Sequence, residues 1–510
     1  MIIRSLGAAV VLAGSVIAGG ATALPAGAAP GEGLAGDLKS DLDAILKDSR
    51  LKGAKVGVVV RDAQSGRVLY DRNGGGKVMP ASNNKLPTSA AAFGILGAGY
   101  RFRTTVSTKG GNLYLKGTGD TTMRASDYDR LAASVAGKGV KEVRGDLVAD
   151  DTWFDADRVP DGWDPADLQY AYAAQTSALT VSPNADFDAG SIDVTVAATR
   201  PGRPVRVGLR PATGVVKIDN RATTGAAGSP STLAVKRRNG SNTIRITGRH
   251  PAGAPKASVL RTVAGPTRYA ADVFRRALKA HGVRVAGRTE RGRTPAGAET
   301  IATRTSMPLS QLAKPFMKLS NNVMAETLVK AIGRKVRGKG TWAAGLPAVT
   351  AYAGRLGVDT SQVAMTDGSG LARSNRTTAM QLSTLLRNAR EQAWFPAWYA
   401  SLPVAGKPDR LVGGTLAKRM KGTAAEGNVH AKTGTLTGVT ALSGYVEDPD
   451  GRTLIFSTVF NGYSGSAPKD IEDEIAVRLA GGSPVLRRTT PTTDDDGDGD
   501  GLEPTWRRSR

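Results

Sequence analysis

Apolar residues recur at strand spacing and at helix spacing in separate blocks of the chain. Strand-like alternation on both sides of a Ser65-Gly66 turn predicts a β-hairpin in the stretch AKVGVVVRDAQSGRVLYDRN. An Ala-rich apolar segment follows and predicts a helix from about Ser82 to Gly97. From about residue 101 to 265 the apolar runs are short and lie between Gly and Pro turns, which predicts a β-rich block with little helix.

Helical spacing returns after this block and is followed by three further strand-like runs. The helices are predicted in TRYAADVFRRALKAHGV, NNVMAETLVKAIGRKV and TTAMQLSTLLRNARE, and the strands in VHAKTGTL, TALSGYVED and RTLIFSTVFN. The hairpin and these three strands can form one antiparallel sheet with the helices packed on its faces. We therefore predict an α+β fold into which the β-rich block is inserted.

The two ends of the chain differ from the rest. Residues 1–29 hold one basic residue, an apolar run and small residues near positions 26–28, which predicts a cleaved secretory signal peptide, with a retained anchor as the alternative. Residues 486–510 are poor in apolar residues and predict a disordered tail. Its DDDGDGDG run resembles a calcium loop, but position 12 counted from Asp494 is Thr505 where an EF-hand has Glu.

The amino-acid composition limits the number of domains, the types of catalytic group and the kinds of partner. A chain of 510 residues predicts two or three domains, and 40% hydrophobic with 22% charged residues is typical of a soluble globular protein. The absence of cysteine excludes disulfides, a thiolate nucleophile and Cys-ligated metals, and the three histidines lack metal-ligand spacing, so we predict no metal and no cofactor. The net charge of +24 accompanies few aromatic residues and predicted export, which favours anionic cell-wall polymers over nucleic acid as a partner.

Three short motifs occur in a fixed order along the chain. SNNK begins at Ser82, SNN begins at Ser320, and the single KTG begins at Lys432. S-x-x-K alone is weak evidence, because SRLK and SAPK occur elsewhere, and each serine could simply cap a helix. In this order and on these elements, the three motifs are the signature of serine enzymes that penicillin acylates.

The motifs also make chemical sense together. A serine hydroxyl needs a base, and Lys85 lies three residues after Ser82, on the same face of a helix. To accept a proton Lys85 must be neutral, so we expect it to be buried near Lys432, whose charge would lower its pKa. Ser320 and Asn322 are two residues apart, so we expect both on a loop just before a helix that starts near Val323.

The KTG strand would form the opposite wall of the cleft. Lys432 and Gly434 share one face of a strand, and Gly434 allows a close approach to the Ser82 helix. The backbone N–H groups of Thr435 and Ser82 are the candidate oxyanion hole. The Thr433 hydroxyl and the Lys432 charge suit a terminal carboxylate.

At this point the sequence resembles the class C low-molecular-mass penicillin-binding proteins, which are D-alanyl-D-alanine carboxypeptidases and endopeptidases, and in particular the secreted actinobacterial members. Further matching stretches are LYLKGTGDTTM, GDLVADDTWFD, SALTVSPNADFD and MTDGSGLARSN, and the likeness covers roughly residues 35–480. The resemblance implies an exported, cell-wall enzyme that acts on peptidoglycan stem peptides through an acyl-enzyme on Ser82. It also implies inhibition by β-lactams, with slow deacylation.

The resemblance further implies a domain plan. The catalytic domain would have the penicillin-binding-protein and serine β-lactamase fold, with a five-stranded antiparallel sheet flanked by helices and two β-rich domains inserted in the 238 residues between Ser82 and Ser320. The boundaries predicted are 30–104 and 266–485 for the catalytic domain, 105–122 and 190–265 for one inserted domain, and 123–189 for the other.

Residue roles follow by the same resemblance. Ser320, Asn322 and Lys432 would complete the proton network around Ser82 and Lys85, and Thr433 and Thr435 would hold the substrate carboxylate. A pocket for the free amino end of the stem peptide would be lined by Asp167, Tyr172, Arg373 and Leu436.

One residue departs from the family pattern, and two other functions compete with the main prediction. Pro87 stands where the family carries an apolar residue and could alter how Lys85 is presented. The alternatives are a serine β-lactamase or esterase, and a catalytically silent wall-binding protein.

Overall fold

The structure is a computed structural model that describes residues 32–482. The predicted signal peptide (1–29) and the predicted tail (486–510) lie outside the described residues. Within residues 32–482 the helices are α1 Glu32–Ile45, α2 Lys85–Leu96, α3 Ala125–Gly137, α4 Pro266–Ala280, α5 Leu309–Lys318, α6 Asn322–Arg337, α7 Trp342–Arg355, α8 Ala379–Ala389, α9 Phe395–Tyr399 and α10 Lys469–Leu479.

Twenty strands alternate with these helices along the same part of the chain. They are β1 Lys55–Asp62, β2 Val68–Arg72, β3 Arg103–Lys109, β4 Asn112–Gly117, β5 Glu142–Val143, β6 Leu147–Asp150, β7 Ser191–Ala197, β8 Arg206–Arg210, β9 Lys217–Asn220, β10 Thr223–Gly225, β11 Ala234–Arg237, β12 Thr243–Thr247, β13 Arg249–Pro251, β14 Ala257–Thr262, β15 Arg284–Val285, β16 Thr289–Arg291, β17 Glu299–Thr305, β18 His430–Leu436, β19 Val439–Glu447 and β20 Thr453–Asn461.

The first and last strands form one five-stranded sheet in the order β18-β19-β20-β1-β2. Every neighbouring pair is antiparallel, and β1 pairs with β20 from Lys55 opposite Asn461 to Asp62 opposite Leu454. The predicted α+β fold with a five-stranded antiparallel sheet is therefore confirmed. Strand β18, which carries KTG, lies at one edge of the sheet.

Helices cover both faces of this sheet, which explains why its central strands are almost wholly buried. Successive side chains point to opposite faces, so Ile455 and Val459 pack in one core while Phe456 and Phe460 pack in the other. The first core contains apolar residues of α2, α6, α7 and α8, and the second contains those of α1 and α10. The sheet is thus a rigid platform between two helical layers.

The segment between α2 and α5 forms separate sheets around a core of its own. A second five-stranded sheet has the order β16-β6-β4-β3-β17, and two three-stranded sheets have the orders β14-β7-β8 and β11-β12-β9. Tyr128 of α3 and Phe274 of α4 are completely buried in this core. The segment contains the β-rich block that the sequence predicts.

Strand pairing bears on where this inserted part ends. Strand β16 pairs with β6 and β17 pairs with β3, so residues 289–305 complete an inserted sheet. The boundaries predicted from the sequence instead give residues 266–485 to the catalytic domain. The pairing partners lie more than 140 residues upstream, so the local apolar pattern does not reveal them. The domain boundaries remain a prediction.

The described residues contain no helix that combines the length and the apolar character needed to cross a membrane.

Candidate active site

Ser82 lies in a short 3-10 helix, Ala81–Asn84, that leads directly into α2. The predicted single helix from Ser82 is therefore divided, with the α-helix beginning at Lys85. A 3-10 helix has about three residues per turn, so side chains at i and i+3 eclipse each other. This geometry brings the Lys85 Nζ to 2.9 Å from the Ser82 Oγ.

Lys85 is fully buried, whereas Ser82 is half-buried and reachable from the cleft. The Lys85 ammonium donates to the Ser82 Oγ, to Asn322 Oδ1 at 2.6 Å and to the Ser369 carbonyl at 2.8 Å. These three acceptors are all neutral groups. The hydrogen bonds connect the first motif to the second.

Pro87 does not disturb this arrangement. It is the third residue of α2, within the first turn of the α-helix, where proline is tolerated. Lys85 keeps its three hydrogen bonds with Pro87 in place.

The second motif precedes α6 and contributes two side chains. Ser320 lies before the helix with a positive φ of 56°, Asn321 caps it by accepting from the Met324 N–H, and Asn322 is its first residue. We expected Asn322 on a loop, one residue before the helix. Its amide is fixed at both ends, because Oδ1 accepts from Lys85 and Nδ2 donates to the Tyr172 carbonyl at 2.9 Å.

The third motif lies on β18 and closes the site. The fully buried Lys432 donates to the Ser320 Oγ at 2.8 Å and to the Thr433 carbonyl at 2.8 Å. A side chain at Gly434 would place its Cβ 2.8 Å from the Pro80 carbonyl and 3.2 Å from the Ala81 Cβ. Only glycine therefore lets β18 lie this close to the Ser82 turn.

Two contacts that sequence reasoning missed attach neighbouring residues to β18. Asn83 follows Ser82. Its amide oxygen accepts from the Ser443 hydroxyl at 2.7 Å, and its amide nitrogen donates to the carbonyls of Lys432 and Thr433 at 2.9 and 3.2 Å. Thr415 accepts a hydrogen bond from the Thr433 hydroxyl at 2.7 Å. Asn83 could have been suspected from its place within SNNK, but no local signal marks Thr415.

The proposed pocket residues lie in two pairs. The Tyr172 hydroxyl donates to Asp167 at 2.9 Å, and Tyr172 packs against the same small apolar cluster that contains the buried Leu436. Arg373 is exposed and donates to the Thr437 carbonyl at 3.1 Å, next to Leu436. The Tyr172 carbonyl accepts from Asn322, so this region is connected to the hydrogen-bonded cluster around Lys85.

A loop at residues 367–372 supplies the Ser369 carbonyl, and two buried carboxylates hold it. Asp367 accepts from the backbone N–H groups of Gly370 and Ala372, each at 2.7 Å. Glu326 of α6 accepts from the Ser369 N–H at 2.8 Å and from the Trp342 indole at 2.8 Å. The loop therefore presents its carbonyl to Lys85 in a fixed position.

Glu326 should make the stability of the protein depend on pH. Burial, followed by the nearby Asp367 charge, raises the pKa of Glu326 from 4.5 to about 7. Between these values the folded protein holds a proton that the unfolded chain has lost, so stability falls as pH rises through this window. Glu326→Gln should flatten that fall by up to about 1.4 kcal/mol per pH unit, as measured by urea unfolding at pH 5, 6 and 7.

The matched control for this experiment is Glu290→Gln, on the exposed strand β16, which should leave the slope unchanged. The buried Glu472, whose pKa is also raised to about 7, contributes equally in all three proteins. An unaltered slope in Glu326→Gln would show that the carboxyl group ionises normally.

The fold defines the class of protein: it is that of penicillin binding protein 4. The crystal structure of penicillin binding protein 4 from Haemophilus influenzae superposes with a TM-score of 0.73, at 23% identity, over 86% of this chain and 98% of that one. The chain belongs to the D-Ala-D-Ala carboxypeptidase 3 (S13) family, whose sequence pattern matches residues 38–481. The predicted family and the predicted carboxypeptidase activity are confirmed.

Two curated relatives agree with this assignment. The D-alanyl-D-alanine carboxypeptidase of Actinomadura sp. is 51% identical over 455 residues, which are 87% of this chain and 84% of the relative. The D-alanyl-D-alanine carboxypeptidase DacB of H. influenzae is 25% identical over 428 residues, or 81% of this chain and 86% of the relative.

Proposed function

We propose that this D-Ala-D-Ala carboxypeptidase acts on peptidoglycan stem peptides through an acyl-enzyme on Ser82, and that it also cleaves cross-links as an endopeptidase. The observation that carries the proposal is the hydrogen-bonded cluster in which Lys85 contacts both Ser82 and Asn322. A second contact, from Lys432 to Ser320, connects the third motif to the second. All five proposed catalytic side chains thus belong to two short chains of contacts.

The chemistry of acylation follows from these contacts. Ser82 Oγ attacks the carbonyl carbon of the penultimate D-Ala while its proton passes to the neutral Lys85 amine. The peptide C–N bond then breaks, and the leaving amine takes a proton returned through Lys85 or Ser320. Water attacks the resulting ester, which frees the shortened peptide and restores the Ser82 hydroxyl.

The residues around β18 suit the reacting groups. The backbone N–H groups of Ser82 and Thr435 are proposed to stabilise the oxyanion. The Thr433 hydroxyl and the Lys432 charge are proposed to bind the terminal carboxylate, together with Thr435. Because β18 is an edge strand, its outer backbone groups beyond Ala431, whose N–H donates to the Pro403 carbonyl, can pair with an extended substrate.

Location and partners form a further part of the proposal. We place the enzyme outside the cytoplasmic membrane in the cell wall, with β-lactams as acylating inhibitors and no cofactor. The H. influenzae penicillin binding protein 4, similar in fold, has been solved in complex with a β-lactam. An anionic polymer of the cell wall is a further proposed partner, since it suits the net charge of +24.

The test is to incubate the protein with labelled penicillin, to record its intact mass, and to measure D-Ala release from a peptide that ends in D-Ala-D-Ala. We expect a persistent adduct of one penicillin and release of free D-Ala. Both should be absent from Ser82→Ala. If the adduct still forms in Ser82→Ala, a residue other than Ser82 is the nucleophile. Fast turnover of penicillin would favour a β-lactamase.

The pocket assignment makes its own prediction. If Asp167 binds the free amino end of the stem peptide, Asp167→Asn should raise KM about 10- to 100-fold for a substrate with that amino group, because it removes one charged hydrogen bond. The same variant should leave KM unchanged for the N-acetylated substrate. Steady-state D-Ala release with the two substrates checks this.

Tyr172→Phe is the companion variant for this pocket. It removes the hydroxyl that contacts Asp167 but keeps the carboxylate, so its effect on KM should be smaller. Equal losses on both substrates in Asp167→Asn would instead assign Asp167 a purely structural role.

A further inference from the structure

The excess positive charge of the chain is concentrated in one inserted segment. Lys and Arg occur throughout the sequence, but residues 190–265 contain thirteen of them against two Asp and no Glu. This segment of 76 residues therefore supplies +11 of the net +24. Less than a sixth of the chain thus supplies almost half of its net charge.

Part of this charge lies on the small sheet β11-β12-β9. In β11 and β12 buried and more exposed positions alternate, and the inward side chains are Val235, Ile244 and Ile246 of the inserted core and the buried Arg237. The positions between them point outward, away from that core. On this outward side Lys217, Lys236 and Arg238 are exposed, and Arg245 is half-buried.

Cations occupy this outward side in two neighbouring rows. Lys236 of β11 lies opposite Arg245 of β12, and Thr243 of β12 lies opposite Lys217 of β9. Arg238 extends the second row, because its N–H donates to the Thr243 carbonyl at 3.0 Å. Neighbouring positions are separated by about 4.8 Å across the strands and about 6.6 Å along them.

Among the described residues, one carboxylate forms ion pairs with these cations. Asp219 of β9 lies opposite Arg245, and it accepts from Arg245 at 2.8 Å and from Arg221 at 3.0 Å. Among the described residues, the side chains of Lys217, Lys236 and Arg238 have no acidic partner. We call these six residues, Lys217, Asp219, Arg221, Lys236, Arg238 and Arg245, the basic face.

A surface of this kind suits a linear polyanion. An exposed single ion pair contributes little, but a polymer with a charge in each repeat can contact several cations of the grid at once and release counterions. Lys and Arg both bind phosphate oxygens, the first as a point charge and the second through its planar fork. The basic face lacks the aromatic side chains on which nucleic-acid bases stack.

We propose that the basic face binds a phosphodiester polymer of the cell wall and thereby holds the enzyme near its peptide substrate. This assignment rests on the proposed location of the enzyme, but it does not depend on the chemistry at Ser82. The face belongs to the inserted sheets, separate from the five-stranded sheet that carries the KTG strand. Binding and catalysis can therefore be tested apart.

The experiment measures the binding of the full chain to purified poly(glycerol phosphate) teichoic acid at salt concentrations from about 0.05 to 0.3 M. The test variant is Lys217→Gln, Lys236→Gln and Arg238→Gln combined, which leaves the Asp219 ion pairs intact. We expect at least about tenfold weaker binding, with the slope of log K against log salt reduced by about 2 to 3. Penicillin acylation by this variant should equal that of the wild type.

The matched control removes three exposed cations elsewhere, by Lys335→Gln, Arg337→Gln and Lys339→Gln at the end of α6. It should bind the polymer nearly as well as the wild type. Equal losses in both triple variants would overturn the proposal in favour of an effect of overall charge. Tighter binding of single-stranded DNA of equal charge would overturn it in favour of nucleic acid.

The Ser82→Ala variant separates this proposal from the proposed function. It should bind the polymer like the wild type even though it forms no penicillin adduct. If the polymer does not bind while the adduct still forms, the partner is wrong and the enzyme chemistry stands.

Discussion

Lys85→Arg should form the penicillin adduct at least about 100 times more slowly than the wild-type protein, which is the low end of what a general base contributes. Arginine keeps the positive charge and the ability to donate to Ser82 and Asn322. It cannot lose a proton in a protein, however, so it cannot accept one from the serine. The rate is measured by intact mass in single-turnover reactions.

A second substitution at the same position distinguishes the need for a proton acceptor from the need for a positive charge. Lys85→Met has a similar length without charge and should be as slow as Lys85→Arg. If charge alone were needed, Lys85→Arg would stay within a few fold of the wild type while Lys85→Met failed. Thermal unfolding of both variants establishes that the cleft has folded, because a buried cation without suitable partners is itself destabilising.

Gly370→Ala should remove activity through the position of the nucleophile turn. Gly370 has a φ of +87°, and a Cβ there would lie 1.8 Å from the Ala81 carbonyl, one residue before Ser82. The Ala81 backbone already has a positive φ of 45°, so it has little freedom to move. We expect a loss of about 3 kcal/mol in the free energy of unfolding and loss of acylation.

The chain offers a control with the same backbone strain and no clash. Gly438, in the turn between β18 and β19, has a φ of +76° and open space around the position of a Cβ. Gly438→Ala should cost only about 1–2 kcal/mol and should still form the adduct. Equal losses in the two variants, measured by urea unfolding, would mean that strain rather than the contact with Ala81 decides the effect.

The five-stranded sheet was predictable because its strands carry local signals. The Ser65-Gly66 turn lies between two apolar runs, and β1, which is buried on both faces, contains the continuous apolar stretch VGVVV. The three motifs were predictable for a similar reason, since each is only three or four residues long. That the three motifs lie together in one site could be expected only from their order along the chain and from the resemblance to a family.

What the sequence did not reveal depends on contacts between distant residues. The Ser369 carbonyl reaches Lys85 from 284 positions away, and Thr415 reaches Thr433 across a loop. Neither residue type has a local pattern that indicates such a contact. The division of the predicted helix at Lys85 was missed because 3-10 and α-helical turns have nearly the same apolar spacing.

The pairing of β1 with β20 also delays the completion of the five-stranded sheet during synthesis. Partners such as Val58 and Thr458 are 400 positions apart, and synthesis adds about 5–20 residues per second. The first hairpin therefore waits on the order of 20–80 s for its neighbour strand to be made. During that time Ser82 exists without Lys432, and the cleft cannot close. The proposed nucleophile Ser82 is made 350 positions before Lys432, so the proposed catalytic cluster can form only after Lys432 has been made.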